Sequence, residues 1–244
     1  MKRFLILQAR PETDASDHEF SAILDKCGLT PDRVHRIRLD REDLPADLDV
    51  TDYAGVIVGG GPGCVSDDPA TKDPVEARIE RQVLGLMPQI TGADHPYMGC
   101  CYGLGILAHH LGADVSKERY SEPVGPTVCY PTEDAASDPL LEGLDDPFEV
   151  FVGHKEAVQH LPDGTVHLAR SDACPMQMIR YGQNVYATQF HPEAEAIDFE
   201  RRIRIYNNHG YFPPEDADRL IEVCHAADVT VPRIILRRFV ERYG

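Results

Sequence analysis

Met98-Gly99-Cys100-Cys101-Tyr102-Gly103 is the stretch on which the reading of this chain turns. The residues before it, 95–100, form a strand candidate. Residues 102–111 follow as a helix that Gly112 stops. Cys101 therefore stands on a sharp strand-to-helix turn. Gly99 and Gly103, two residues to either side, remove the side chains that would clash there. This is a nucleophile-elbow pattern with sulfur in place of the serine oxygen. Such a turn holds a thiol clear of the sheet at a helix N-terminus. The helix dipole there favours thiolate and is expected to lower the Cys101 pKa. The backbone N–H of Tyr102 is placed to donate to an oxyanion.

Working outward, residues 2–8 and 34–39 read as strands, with a helix over 17–26 between them. The β-branched run at 53–58 leads into Gly59-Gly60-Gly61-Pro62-Gly63, and residues 73–87 form a helix with Pro74 in its first turn. Apolar strands alternating with helices predict an α/β fold with a doubly wound, mostly parallel sheet and flanking helices. From Pro123 the texture changes. Strand candidates at 124–130, 148–152, 165–170, 176–181 and 185–190, with Asn184 in a hairpin, predict a smaller antiparallel sheet. The tail reads as helical, broken near Gly210 and Pro213-Pro214. It carries Arg201, Arg202, Arg204 and Tyr206, then Asn207-Asn208-His209-Gly210. With no repeat and no low-complexity linker, one domain over 1–244 is expected, a core over 1–195 and a helical extension over 196–244. That extension would pack as plain helices, cover a sheet edge, form a homodimer contact or gate the site.

A thiol nucleophile needs a base, and the base needs a group to orient it. With 11 histidines in the chain, one near the elbow is no evidence by itself. Gln189-Phe190-His191-Pro192-Glu193 is more specific. His191 ends an apolar strand, and Pro192 biases it toward extended geometry. In an extended segment residues i and i+2 face the same way. Glu193 can then bond one imidazole nitrogen while the other faces Cys101. In the glycine loop, Gly60 and Gly61 let backbone N–H groups approach a ligand and supply a second oxyanion donor. The loop lacks the spacing of a dinucleotide or phosphate site, and a tight loop without a ligand is the plainer alternative.

Composition narrows the classes. A formal net charge of −17, with no compensating basic block, speaks against nucleic acid and anionic membranes as partners. No apolar run reaches the ~20 residues of a membrane span. The N-terminal apolar stretch is shorter than the roughly 7–15 residues of a signal-peptide core, so a cytoplasmic protein is the default. The seven cysteines include the adjacent pair Cys100 and Cys101 and otherwise lie scattered. They predict neither a disulfide framework nor a metal site, and no cofactor is expected.

Elbow, His-Pro-Glu and glycine loop together resemble the class I (triad) glutamine amidotransferases, especially the glutaminase domain of GMP-synthase type. Further similar stretches are Asp138-Pro139-Leu140, Phe151-Val152-Gly153-His154 and Ser171-Asp172-Ala173-Cys174-Pro175-Met176-Gln177. The resemblance spans about residues 5–195. It implies a flavodoxin-like fold in which Cys101 attacks the side-chain amide of glutamine, His191 shuttles protons and Glu193 orients His191. A glutamyl thioester forms and ammonia leaves. Gly60 and Tyr102 would supply oxyanion N–H groups, and Gly153, His154 and Lys155 would line the glutamine site largely through backbone. The family continues its elbow with His-Gln, where this chain has Leu104-Gly105, so one substrate contact is missing. Gly105 either leaves room for a larger γ-glutamyl compound, such as a peptide or polyamine, or another residue supplies the contact. A non-catalytic regulatory subunit is the third alternative. The roughly 49 residues after Glu195 hold no synthetase motif, so an acceptor enzyme would be a separate synthetase chain.

Overall fold

In a computed structural model, residues 1–208 and 210–244 are described; His209 lies outside the described residues. The first strand, β1 (Phe4–Gln8), is buried along its whole length. Successive side chains of a strand point to opposite faces. Accordingly Leu5 and Leu7 enter one core, and Phe4 and Ile6 enter another. In β3 (Gly55–Val58), Val56 and Val58 face the first core and Ile57 the second. In β4 (Tyr97–Cys100), Tyr97 joins the first core, and Met98 and Cys100 join the second. A sheet buried on both faces needs helices on both, which gives three layers.

Two helices cover the first core: α2 (Pro74–Gly92), through Ile79 and Val83, and α3 (Tyr102–His110), through Leu104 and Leu107. The second core is closed by α1 (Thr13–Cys27), through Ile23, and by α6 (Val231–Tyr243), through Ile235 and Phe239. A third cluster joins α4 (Ala196–Ile205) and α5 (Ala217–Ala226) to Phe151. The predicted helical tail is thus present, with its break before Pro214 and a second break ahead of Val231. The second helix runs past Pro88, beyond the end that the sequence pattern predicts. Buried Leu86, Met87 and Ile90 hold that last turn, and Thr91 Oγ1 donates to the Met87 carbonyl at 2.8 Å.

Nine strands form one continuous sheet in the order β2-β1-β3-β4-β11-β10-β9-β6-β7. Here β2 is Val34–Arg38, β6 Glu122–Pro131, β7 Phe148–His154, β9 Thr165–Arg170, β10 Met178–Tyr181 and β11 Val185–Thr188. The strands from β2 through β11 pair in parallel, and those from β11 onward pair antiparallel. The antiparallel strands expected from the sequence therefore extend the main sheet, because β11 pairs with β4 on one side and β10 on the other. The separate antiparallel sheet is small, with β5 (Val115–Ser116) against β8 (Ala157–Val158). Among the described residues, no helix is long and apolar enough to cross a membrane.

The chain leaves the carboxyl ends of the parallel strands at Ala9–Arg10, Gly59–Gly61, Cys101 and Gln189–His191. This is the edge at which open α/β sheets bind ligands. Four segments far apart in sequence meet there.

Candidate active site

Cys101 holds φ 52° and ψ −92°, a backbone conformation that non-glycine residues rarely adopt. Such a residue carries on the order of 1–3 kcal/mol of strain, held in place by its surroundings. Its own N–H donates to the Thr188 carbonyl of β11 at 2.7 Å, and its carbonyl accepts from Leu104 N at 3.0 Å. The glycines of the elbow are required by contact. A Cβ on Gly99 would stand 2.7 Å from the Gly103 carbonyl carbon and from the Tyr97 ring. Cys100 is buried below the turn, while Cys101 opens into a cavity.

At the first turn of α3, the Tyr102 N–H has no intrahelical acceptor, as at any helix start. Gly61 lines the cavity beside Cys101. Gly60 lies behind it: a Cβ there would meet His191 Cε1 at 2.6 Å and Arg10 Nη2 at 2.8 Å. The glycine loop thus lets the imidazole and a guanidinium close on the backbone.

His191 and Glu193 are both buried. His191 Nδ1 lies 2.9 Å from Glu193 Oε1, and Arg202 Nη2 donates to the same oxygen at 2.7 Å. Phe199 packs edge-on against the imidazole at 5.7 Å. Burial lowers the His191 pKa and outweighs the pull of Glu193, with Arg202 and Arg10 pushing the same way as burial. Burial alone would raise the Glu193 pKa. Attraction to His191 and Arg202, with their hydrogen bonds, holds it instead well below the usual carboxylate range. The resting pair is a neutral imidazole that donates through Nδ1 to an ionised carboxylate. Nε2 carries no hydrogen bond among the described residues and is left with its lone pair.

The thiol departs from expectation. Burial pushes the Cys101 pKa up to about 12, against the pull of Arg10, and Glu156 and Glu193 add to the rise. The resting cysteine is a thiol, and thiolate would form only as the proton passes to a base.

Cys101 stands where two compartments meet, with Gly61, Gly153 and Tyr211. The first is lined by Cys64, Tyr102, Gly105, His154, Glu156 and Gln189, among others. The second is lined by His191, Arg10 and Arg202, among others. Within the first, Glu156 accepts from Val65 N at 2.8 Å, Ser66 N at 2.9 Å and Ser66 Oγ at 2.7 Å. Its Oε1 lies 3.3 Å from where a Cβ on Gly105 would be. Lys155 reaches over the Tyr211 ring, with its ammonium 4.1 Å from the centroid.

His154 lines the first compartment, but its ring is tied elsewhere. Nε2 lies 2.9 Å from Glu122 Oε2 and Nδ1 lies 2.8 Å from the Glu156 carbonyl. Glu122 also accepts from Ser171 Oγ at 2.9 Å and Gln177 Nε2 at 2.5 Å, and Ser171 Oγ accepts from Cys174 N. The segment over 171–177 therefore wraps a buried carboxylate. Glu122, His154 and Cys174 place their ligand atoms within 4.8 Å of one another, but hydrogen bonds inside the protein engage the carboxylate and both ring nitrogens.

Sequence reasoning assigned no role to four contributors. Gln189 Nε2 lies 3.7 Å from Cys101 Sγ. Arg10 reaches the site from the end of β1, its Nε donating to Glu19 Oε1 at 2.9 Å. Glu156 and Arg202 complete the set. The one available signal was position: Arg10 and Gln189 each follow a parallel strand at its carboxyl end.

A thiol on a strained strand-to-helix turn, set beside a buried His–Glu pair at the carboxyl edge of a doubly wound sheet, defines the class of α/β proteins with an elbow-borne cysteine. Within it, the chain belongs to the class-I glutamine amidotransferase family, whose model matches residues 19–211. A glutamine-hydrolysing GMP synthase from Thermosipho melanesiensis is 33% identical over 149 residues, 61% of this chain and 26% of the relative. One subunit of the glutamine-hydrolysing GMP synthase from Natronomonas pharaonis is 28% identical over 156 residues, 64% of this chain and 72% of that one. The match thus spans about a quarter of the first of these relatives. The crystal structure of a glutamine amidotransferase from Thermotoga maritima superposes with a TM-score of 0.77 at 20% identity, covering 100% of this chain and 98% of the other.

Proposed function

We propose that this protein hydrolyses the γ-amide of glutamine or a γ-glutamyl amide through a Cys101–His191–Glu193 triad. The observation that carries the reading is that Cys101 and His191 line one cavity, with the imidazole oriented through Nδ1 by buried Glu193. His191 Nε2 takes the thiol proton as Cys101 Sγ attacks the amide carbon. The carbonyl oxygen becomes an oxyanion, received by the N–H of Tyr102 and by the loop at Gly60 and Gly61. His191 returns the proton to the leaving nitrogen, the C–N bond breaks, and a glutamyl thioester remains. Water, deprotonated by His191, attacks the thioester; the sulfur regains its proton and glutamate leaves. Gly153, Lys155 and the backbone of His154 wall the acyl half.

The GMP-synthase relatives support a role in supplying ammonia. By this reading a separate synthetase chain receives it, in keeping with the Natronomonas relative, which is named as one subunit of a synthase. Glutamate release from glutamine is the test, measured with the chain by itself and with a synthetase chain from the same source. Cys101→Ala must abolish release while the circular dichroism spectrum stays that of the wild type. Full activity in that variant removes the assignment.

A further inference from the structure

Negative charge must develop on the Cys101 sulfur in surroundings that work against it. On the mechanism proposed above, on which this inference rests, the resting thiol gives its proton to His191 and Sγ becomes a thiolate. Burial and the charges of Glu156 and Glu193 oppose that change, and Arg10 favours it. Cys64 and Tyr211 share the first compartment with the sulfur, and Cys100 lies buried below it. A donor already aimed at the place where charge appears stabilises it without reorganisation.

One side chain among the described residues supplies such a donor: Gln189 Nε2 donates to Cys101 Sγ across 3.7 Å. The backbone holds that carboxamide in place. The Cys101 N–H donates to the Thr188 carbonyl at 2.7 Å, which ties the elbow to the residue before Gln189. Gln189 N donates to the Gln177 carbonyl at 2.8 Å, Thr188 Oγ1 to the Phe190 carbonyl at 2.8 Å, and His191 N to the Phe151 carbonyl at 3.0 Å. Gln189 is more than nine-tenths buried, and it lines the first compartment, whereas His191 lines the second and Cys101 lines both. A neutral thiol is a weak acceptor and a thiolate a strong one. A buried carboxamide that gives its donor to sulfur is thus matched to the charged form.

We propose that Gln189 is a catalytic residue whose carboxamide N–H holds the Cys101 thiolate. It acts first as the S–H bond breaks, the electron pair staying on sulfur and the proton passing to His191 Nε2. It acts again as the glutamyl thioester opens: the C–S bond breaks with its pair on sulfur, and His191 passes to that sulfur the proton it took from water. Gln189 itself exchanges no atom in either step.

The experiment measures alkylation of Cys101 by iodoacetamide in the full chain, from neutral to alkaline pH, by mass spectrometry of the peptide that carries it. Gln189→Met keeps the length without a donor, and Gln189→Glu keeps the shape and sets a further carboxylate at the sulfur. Loss of a hydrogen bond to a charged group lowers the thiolate fraction by about tenfold below the thiol pKa. The thiolate that remains is a stronger nucleophile, so alkylation should slow by about threefold or more in Gln189→Met. It should slow further in Gln189→Glu, and its rise with pH should keep its slope. In Gln189→Met, kcat for glutamate release from glutamine should fall by about tenfold with KM little changed. Loosened packing would expose the thiol and speed alkylation, so slowing separates a catalytic role from a structural one. Alkylation of either folded variant at or above the wild-type rate overturns the inference and leaves the triad standing. If Gln189→Met does not fold, Gln189→Glu decides; loss of folding in both makes Gln189 a packing residue and overturns it too. A Cys101→Ala protein that still releases glutamate removes the triad and this inference with it.

Discussion

Arg202 donates to Glu193 through the same carboxylate oxygen, Oε1, that faces His191 Nδ1. A helix in the C-terminal region thereby fixes the charge and orientation of a pair formed at the end of β11. On the proposed mechanism Glu193 holds the tautomer that leaves Nε2 free to accept. Glu193→Gln keeps the shape but removes the charge, and its amide can turn an N–H toward Nδ1. A loss in kcat on the order of 10²-fold or more is expected, with KM little changed. Steady-state glutamate release checks it.

The pH profile should report His191. Burial lowers its pKa from 6.5, so kcat/KM is at its plateau near neutrality and falls with acidification, with a midpoint below 6.5. The neighbours push in opposite directions. Replacing Arg202 by Met removes a cation that disfavours imidazolium, so the midpoint should move up. Glu193→Gln removes an anion that favours it, so the midpoint should move down. Movement of both midpoints in one direction would contradict this electrostatic picture.

Gly60→Ala is a steric test of the glycine loop. The new methyl would sit 2.6 Å from His191 Cε1, and both the ring and Gly60 are buried. Displacement of an imidazole by about an ångström can cost on the order of 10²-fold in rate. Overpacking of this kind costs roughly 1–3 kcal/mol in stability. Chemical denaturation beside kinetics separates the two effects.

These predictions draw unequally on what the sequence reveals. The elbow, the strands around it and the His191-Pro192-Glu193 run are local patterns, so alternation and glycine placement exposed them. The partners of those residues are not local. Arg10 meets Gly60 and Arg202 meets Glu193 only because separate strands and a C-terminal helix converge on one sheet edge. The thiol of Cys101 shows the same limit: the helix start can be read from the sequence, but the burial and the charge of Glu156 that raise the thiol's pKa come from segments far away in the chain. His154 was expected to wall the substrate, and it does line the first compartment. Its ring, however, is tied to Glu122, a residue 32 positions away that no local pattern pairs with it.

Glu156 offers a test of the first compartment's floor. Its carboxylate accepts from Val65 N, Ser66 N and Ser66 Oγ, holding the segment that follows the glycine loop. In Glu156→Gln one end of the group becomes a donor and can no longer accept. The orphaned N–H should cost about 1–3 kcal/mol. Limited proteolysis should show faster cleavage within residues 63–68, and a rise in KM should accompany it.

Gly105 decides whether that floor replaces the contact absent from the elbow. Related elbows carry His-Gln where this chain has Leu104-Gly105. A Cβ at 105 would lie 3.3 Å from Glu156 Oε1 and 3.4 Å from Val65 Cγ2, so the space such a glutamine would enter already holds a carboxylate. A methyl needs only a shift of a few tenths of an ångström, and alanine gains about 1 kcal/mol over glycine in helix propensity. Gly105→Ala should therefore be near neutral in stability. Gly105→Gln must push Glu156 away from Val65 and Ser66, and it should destabilise by roughly 1–3 kcal/mol while raising KM. Thermal melts of the two variants, read with KM, test the argument. If Gly105→Gln is as stable as the wild type and binds glutamine more tightly, the position is open and Glu156 does not occupy the place of the missing side chain.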